Sequence, residues 1–161
     1  MRIIFLDIDG VLNCQLHYEK KQGTTFIEHH ICKERVGWLN ELCSELGAKV
    51  VVTSTWRLGR TLNEMQDVLK EAGGSFEVIS VTPNLRADHS VRGNEILKWI
   101  KDNEELVGPY YDYFNFVIID DDSDMLLSQK NNFFQTDTYS GLTPTICYKI
   151  TRFFKSQSPT E

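Results

Sequence analysis

The chain has 161 residues and a formal net charge of −6, because 23 Asp and Glu residues outnumber 17 Lys and Arg residues. Hydrophobic residues make up 41% of the sequence and charged residues 25%, a balance typical of a folded globular protein that excludes a disordered or fibrous chain. The acidic balance argues weakly against a general nucleic-acid-binding protein, since phosphate backbones are bound by basic patches.

The first third of the chain predicts a buried strand, a polar segment and a helix. Residues 1–6 contain a short apolar run that ends at an acidic turn, which is typical of a buried strand with polar side chains at its carboxyl end. Residues 13–31 are polar and predict a flap or a hairpin. In residues 32–46 apolar side chains recur at helical spacing, and Gly47 follows where the helix should end.

The middle of the chain predicts two more strands with a helix between them. Residues 49–52 form a second apolar, β-branched run and therefore predict a buried strand. Residues 62–69 carry apolar side chains at helical spacing, and the pair that begins at Gly73 closes this amphipathic helix. Residues 76–81 predict the third strand.

The last third continues the alternation of helix and strand. A helix is expected from about residue 91 to residue 100, followed by a fourth strand at residues 114–119. Residues 125–130 predict a short helix and residues 133–134 the beginning of a fifth strand. Pro144 is well suited to the first turn of a final helix.

Apolar strands that alternate with helices indicate a parallel sheet covered on both faces. We therefore expect an α/β, doubly wound, Rossmann-like fold with a mostly parallel sheet. The length favours one domain, which we place at residues 1–155 with a short tail at residues 156–161.

The sequence shows no membrane or secretion signal. No apolar run approaches the ~20 residues that span a bilayer, and the apolar run near the N-terminus is too short for a signal peptide. The four cysteines lie far apart without C-x-x-C spacing, which predicts neither a zinc ribbon nor a redox motif. We expect a cytoplasmic protein with no membrane contact and no obligate protein partner.

Polar residues follow three of the predicted strands: Asp7 with Asp9, Thr53 with Ser54, and Asp120 with Asp121. Ligands of open parallel sheets bind beyond the carboxyl ends of the strands. If the first and fourth strands are neighbours, ~4.8 Å apart, their carboxylates repel by about 4 kcal/mol per pair at an effective dielectric constant of 20. Proton uptake or a cation is then required, and a hard site made of oxygen ligands suits Mg²⁺.

The sequence Asp7-Ile8-Asp9-Gly10 after an apolar strand resembles the first motif of the haloacid dehalogenase (HAD) superfamily of phosphatases. The alternative interpretation of this tetrapeptide alone is an acidic turn that closes a strand. The resemblance implies that Asp7 is a nucleophile forming an aspartyl-phosphate. It also implies that Asp9 is a general acid towards the leaving oxygen and then a general base towards water.

The second and third motifs of the superfamily bind the phosphoryl group. Thr53 matches the second motif, and Ser54 fills it if the register is shifted by one residue. The same hydroxyl residues could also cap the next helix. Arg92 matches the cation of the third motif, with Lys98 as the alternative on another side of the same helix.

The fourth motif supplies metal ligands. By the resemblance, Asp121 is the metal-binding carboxylate and Asp120 lies beside it, while Asp7 contributes its carboxylate and Asp9 its backbone carbonyl to the Mg²⁺ site. For Asp122 and Asp124 we favour a different interpretation, in which their charge stabilises a helix N-terminus. Asp122 and Asp124 are the neighbouring acids of this motif.

A closer resemblance concerns the HAD group associated with RNA-repair proteins, and it rests on residues 7–13, 53–57, 92–96 and 141–143. The short intervals between motifs imply a minimal cap and an open site. The implied partner is a phosphorylated substrate: a nucleotide, a polynucleotide end or another large exposed phosphate. The alternatives are a phosphotransferase or mutase, and a catalytically silent phosphate-binding regulatory module.

Several other residues have two interpretations. Arg57 either reaches an anionic substrate or lies on a helix surface. The pair His29-His30 with Cys32 lacks a second ligand pair at zinc-like spacing, which favours a polar surface turn. The tryptophans are interpreted as core or groove packing.

Overall fold

Five parallel strands form one sheet in the order β3-β2-β1-β4-β5. The computed structural model describes residues 1–21, 23, 30–85, 90–108 and 114–156. The strands are β1 (Ile3–Leu6), β2 (Lys49–Val52), β3 (Val78–Val81), β4 (Phe116–Asp120) and β5 (Phe133–Gln135). The α/β, doubly wound prediction is confirmed, and each of the five expected strands is present within two residues of its expected start.

Helices connect the strands in the predicted alternation. They are α1 (Gln15–Glu19), α2 (Lys33–Leu46), α3 (Leu62–Glu71), α4 (Arg92–Asp102), α5 (Glu104–Val107) and α6 (Pro144–Ser156). In the described part of the chain, 3₁₀ helices lie at Thr55–Arg57 and Leu127–Asn132. Among the described residues no helix is both long and apolar enough to cross a membrane.

Two local predictions differ from the structure. The polar segment predicted as a flap or hairpin begins with helix α1, and its residues 22 and 24–29 lie outside the described residues. The short helix expected at residues 125–130 is a 3₁₀ helix that begins at Leu127. Residues 157–161 of the predicted tail also lie outside the described part of the chain.

The two faces of the sheet are covered by different helices because side chains of a strand alternate between faces. Ile4 and Leu6 of β1 belong to a large apolar cluster with residues of α2, α3 and α6. Ile3 and Phe5 belong to a second cluster with residues of α4, including Trp99. Every side chain of β1 is therefore buried, which explains its continuous apolar sequence.

The topology places a switch point between β1 and β4. The chain moves from β1 to β2 and β3 with helices on one face, and then returns through α4 on the other face to β4. Leu6 is in register with Val52 of β2 and with Ile119 of β4, so these three strands end at the same level. Such switch points are where open α/β sheets bind ligands.

Candidate active site

The residues that follow β1, β2 and β4 meet at the switch point. Asp7 extends β1 by donating its backbone N–H to Ile119 O at 3.0 Å, and Thr53 extends β2 by donating to Leu6 O at 2.8 Å. Asp120 is the last residue of β4. All three side chains are buried, and they come from adjacent strands. The first and fourth strands are neighbours, which is the condition under which their carboxylates crowd together.

Arg92 joins these three residues through one guanidinium nitrogen. Its Nη1 lies 2.8 Å from Asp7 Oδ1, 3.2 Å from Thr53 Oγ1 and 3.3 Å from Asp120 Oδ2. Helix α4 begins at Arg92, and Gly93 lets it approach closely, since a Cβ there would lie 2.5 Å from Leu126 N. The guanidinium therefore stands where a phosphoryl group beside Asp7 would need positive charge.

Lys98, the alternative cation, does not reach this site. Its ammonium pairs with Asp102 at 2.7 Å on the exposed side of α4. Six residues along a helix correspond to about 600° of rotation, which turns Lys98 well away from Arg92.

Three carboxylates are close enough to share a cation. One oxygen each of Asp7, Asp120 and Asp121 lies within 4.8 Å of the other two, and this is the one such group of acidic, histidine or cysteine residues among those the structure describes. Thr138 Oγ1 donates to Asp121 Oδ2 at 2.9 Å and holds that side chain in place. Asp121 also lies over Gly10, whose φ is 70° and whose Cβ, if present, would overlap the carboxylate.

The cluster carries more negative than positive charge. Burial raises the pKa of Asp120 to about 8; the charge of Asp7 adds to this rise and Arg92 opposes it. Burial likewise raises the pKa of Asp7 against the lowering effect of Arg92. Burial alone would lower the pKa of Arg92, but the charges of Asp120 and Asp7 outweigh it and raise that pKa.

The donor set of this cluster fits a divalent cation. Asp120 Oδ2 is buried and accepts no hydrogen bond from the described residues. Together with the oxygens of Asp7 and Asp121 it forms a hard, oxygen-only group, which is the ligand chemistry of Mg²⁺. A cation here would also relieve the repulsion that raises the pKa of Asp120.

Asp9 lies apart from the three clustered carboxylates. Its side chain is exposed and accepts hydrogen bonds from Trp56 Nε1, at 3.2 and 3.0 Å, and from Asn13 Nδ2 at 2.6 Å. The structure thus separates two kinds of carboxylate that the sequence places only two residues apart.

The surroundings of Ser54 and of the neighbouring acids, Asp122 and Asp124, differ from one another. Ser54 is fully buried and its side chain hydrogen-bonds Asp7, which lowers the pKa of that carboxyl against the larger effect of burial. Asp124 Oδ2 accepts the backbone N–H of Arg92 at 3.0 Å, so it caps α4 as the helix-terminus interpretation predicts, although the helix is the preceding one. Asp122 is exposed.

Arg57 fits neither of its two sequence interpretations. It is 5% exposed, pairs with Glu95 at 2.7 Å, and donates to the backbone carbonyls of Thr53, Ser54, Thr82 and Pro83. Both interpretations of Arg57 were wrong because its partner, Glu95, is 38 residues away in sequence. No local pattern signals this buried pair.

Asn13 and Trp56 are contacts of Asp9 that the sequence did not identify as such. Both residues lie in segments that carry the RNA-repair resemblance, but the sequence predicts only packing for Trp56 and no individual role for Asn13. Asn13 is a buried polar residue directly after an apolar pair, and such a residue needs a hydrogen-bond partner. That requirement was the available signal.

Of the pair His29-His30, only His30 lies among the residues that the structure describes. His30 Nδ1 lies 3.3 Å from the Tyr18 hydroxyl, and Arg35 Nη1 donates to Cys32 Sγ at 3.0 Å, while His29 lies outside the described residues. Neither His30 nor Cys32 belongs to a group of potential metal ligands in the part of the chain that the structure describes.

A sequence model of the family described as HAD domain in Swiss Army Knife RNA repair proteins matches residues 3–146, which contain every residue of the site. No curated protein matches the chain at a significant level. The family match confirms the resemblance seen in the motifs and supports a hydrolase of the phosphatase superfamily. The chain belongs to the family of HAD domains in Swiss Army Knife RNA repair proteins.

Proposed function

We propose that the protein is a Mg²⁺-dependent phosphomonoesterase that works through an aspartyl-phosphate on Asp7. One observation carries the proposal: Arg92 Nη1 contacts Asp7, Thr53 and Asp120, at the ends of three adjacent strands. A phosphoryl group placed beside Asp7 would therefore meet a nucleophile, a guanidinium and a hydroxyl. Family membership supports the same reaction class.

In the first step a carboxylate oxygen of Asp7 forms a bond to phosphorus, and the bond from phosphorus to the leaving oxygen breaks. Arg92 and Thr53 bind the non-bridging oxygens, whose charge they stabilise as the reaction proceeds. Asp9 gives its proton to the leaving oxygen, so that the product departs as an alcohol.

In the second step Asp9, now a carboxylate, removes a proton from water. The water oxygen bonds to phosphorus, the bond from phosphorus to Asp7 breaks, and inorganic phosphate leaves. Asp9 has recovered its proton and Asp7 its carboxylate, so the cycle is closed.

Asp7, Asp120 and Asp121 would hold the metal ion through their carboxylates, with the Asp9 backbone carbonyl as a further ligand. When bound, Mg²⁺ supplies positive charge beside the phosphoryl oxygens, in addition to that of Arg92. The buried Asp120 oxygen without a hydrogen bond supports this assignment.

For the substrate we propose a nucleotide, a polynucleotide end or another large exposed phosphate. The chain between β2 and α4 is occupied by α3 and β3, which belong to the core of the fold, so the described residues of this interval form no separate cap domain. An open site admits a phosphate on a large molecule.

The free state of all four cysteines supports a reducing, cytoplasmic compartment.

Hydrolysis of p-nitrophenyl phosphate tests the proposal. We expect turnover with Mg²⁺, loss of turnover with EDTA, and loss of more than about 10³-fold in kcat/KM for Asp7→Asn. Asp67→Asn, the same change at an exposed position of α3, should leave turnover unchanged. Metal-dependent turnover that persists in Asp7→Asn would rule out this nucleophile.

A panel of mononucleotides, 3′- and 5′-phosphorylated oligonucleotides, phosphosugars and phosphopeptides identifies the substrate class. Transfer of phosphate to an added alcohol rather than to water would show a phosphotransferase. Phosphate binding without turnover of any member would show a silent module and contradict the proposal.

A further inference from the structure

The carboxylate of Asp9 is held from two sides although it is exposed. Trp56 Nε1 donates to both of its oxygens, at 3.2 and 3.0 Å, and Asn13 Nδ2 donates to Oδ1 at 2.6 Å. Trp56 comes from the segment after β2, 47 residues away in sequence. The two donors therefore tie the Asp9 carboxylate to the segment after β1 and to the segment after β2.

Both donors are fixed by contacts of their own. Asn13 is buried, and its Oδ1 accepts the backbone N–H of Gly10 at 3.0 Å, which orients its amide so that Nδ2 faces Asp9. The backbone N–H of Trp56 is capped by Ser54 Oγ, and Arg60 lies over its ring at 5.8 Å. Each donor to the Asp9 carboxylate thus has contacts of its own that hold it in place.

We propose that Trp56 and Asn13 are positioning residues that aim the Asp9 carboxylate at the leaving oxygen. This inference rests on the proposed phosphatase reaction, in which Asp9 is the acid and base. An exposed aspartate without such contacts would sample several rotamers, and misplacement of a reacting group by about 1 Å can cost about 10²-fold in rate.

Two substrates that differ mainly in the leaving group test the inference. Phenol is a poorer leaving group than p-nitrophenol and needs protonation more. Trp56→Phe, which keeps a ring but removes the N–H donor, should lower kcat/KM for phenyl phosphate by about tenfold or more and for p-nitrophenyl phosphate by less than about threefold. A loss confined to ring packing would lower both values equally, and that result overturns the inference.

Trp99→Phe is the matched control. It removes the same donor, here from a 2.8 Å hydrogen bond to Ser80 Oγ, but on the opposite face of the sheet. We expect any change it causes to be the same for both substrates. Asn13→Ala should repeat the selective loss of Trp56→Phe, and an unselective loss in both variants contradicts the assignment.

A spectroscopic measurement tests the same hydrogen bond without relying on turnover or on the folding of the Trp56 variant. The chain has three tryptophans, and so three indole N–H resonances. Asp9→Asn should shift the resonance of Trp56 and leave those of Trp38 and Trp99 in place. Unchanged resonances would overturn the inference, whereas inactive wild-type protein with a shifted Trp56 resonance would refute only the phosphatase reaction.

Discussion

Two arginines contact Thr53, the buried Arg57 and the partly buried Arg92, and their electrostatic surroundings differ. Arg57 faces one carboxylate, Glu95, and its remaining donors go to four backbone carbonyls. Glu95 in turn accepts the backbone N–H of Leu85 at 2.9 Å. The charge of Arg57 is therefore matched by that of Glu95, and the donors of Arg57 have acceptors, as a buried ion pair requires.

Arg92 faces an excess of negative charge. It pairs with Asp7 and Asp120, and Asp121 stands beside them. One buried oxygen of Asp120 accepts no hydrogen bond from the described residues, and the pKa of this carboxyl is raised to about 8, mainly by burial and then by Asp7.

The two arginines therefore differ in role: Arg57 stabilises the fold, and Arg92 belongs to the candidate active site. The Arg57 pair connects the ends of β2 and β3 to α4 and leaves nothing for a ligand to satisfy. The Arg92 cluster is incomplete on its own, which is typical of functional sites.

The largest effect is expected for Arg92→Met. We expect kcat/KM for p-nitrophenyl phosphate to fall by about 10³-fold, since this guanidinium is the proposed charge partner of the phosphoryl group. Arg92→Lys should recover part of the activity, because lysine keeps the charge but not the fork of donors. Steady-state kinetics measures both variants; near wild-type activity in Arg92→Met would remove Arg92 from the mechanism.

Arg57→Met should act on stability instead. Removal of one partner of a buried ion pair leaves the charge of Glu95 unpaired, and we expect the free energy of unfolding to fall by about 3–5 kcal/mol in urea denaturation. The double variant Arg57→Met with Glu95→Leu should recover part of this loss, because no charge remains buried. If the double variant is as unstable as the sum of the single ones, the pair is not the source of the effect.

The metal-free protein should lose stability as the pH rises. Because the folded-state pKa of Asp120 lies above its unfolded value, the folded state binds a proton that the unfolded state has released. The stabilisation is therefore complete below about pH 4 and is lost as the pH rises towards about 8. In EDTA we expect the free energy of unfolding to fall by about 2–3 kcal/mol between pH 6 and pH 8.5, which is about 4–12 °C in Tm.

Two further experiments test whether Asp120 is the origin of this pH dependence of stability. Asp120→Asn should flatten it, and Mg²⁺ should stabilise the wild type more at pH 8.5 than at pH 6, because ionised carboxylates bind the cation. Thermal unfolding measures both. An unchanged slope in Asp120→Asn would assign the effect to other groups.

The smallest effects are expected at the two hydroxyl residues. Thr53→Val keeps the shape of the side chain but removes the oxygen that accepts from Arg92, and we expect KM to rise by about tenfold. Ser54→Ala should raise KM by about threefold, since its contact is with Asp7. The reverse order would show that Ser54 rather than Thr53 fills the second motif.

The fold could be predicted well from the sequence because its signals are local. The apolar run of β1, the helical spacing of α2 and the stop at Gly47 each lie within a few residues, and the structure confirms them. The secondary structure of the polar segment around α1 was harder to predict, because this segment has no apolar pattern that distinguishes a hairpin from a short helix.

The site was predictable where it depends on strand ends and not where it depends on distant contacts. Asp7, Thr53 and Asp120 follow from the strands themselves. The Arg57 pair with Glu95 and the bond from Trp56 to Asp9 join residues 38 and 47 positions apart, so only the folded chain brings them together. The assignment of Asp120 and Asp121 as joint metal ligands stays a prediction.

The central claim, phosphorylation of Asp7, can be measured directly with Asp9→Asn. Because p-nitrophenol leaves without much protonation, this variant should still form the aspartyl-phosphate, but it lacks the base that activates water. With Mg²⁺ and p-nitrophenyl phosphate we expect one rapid equivalent of p-nitrophenol and, after acid quenching, mass spectrometry of peptides that finds the phosphoryl group on Asp7. Wild-type turnover without any phosphoryl group on Asp7 in either protein would contradict the account.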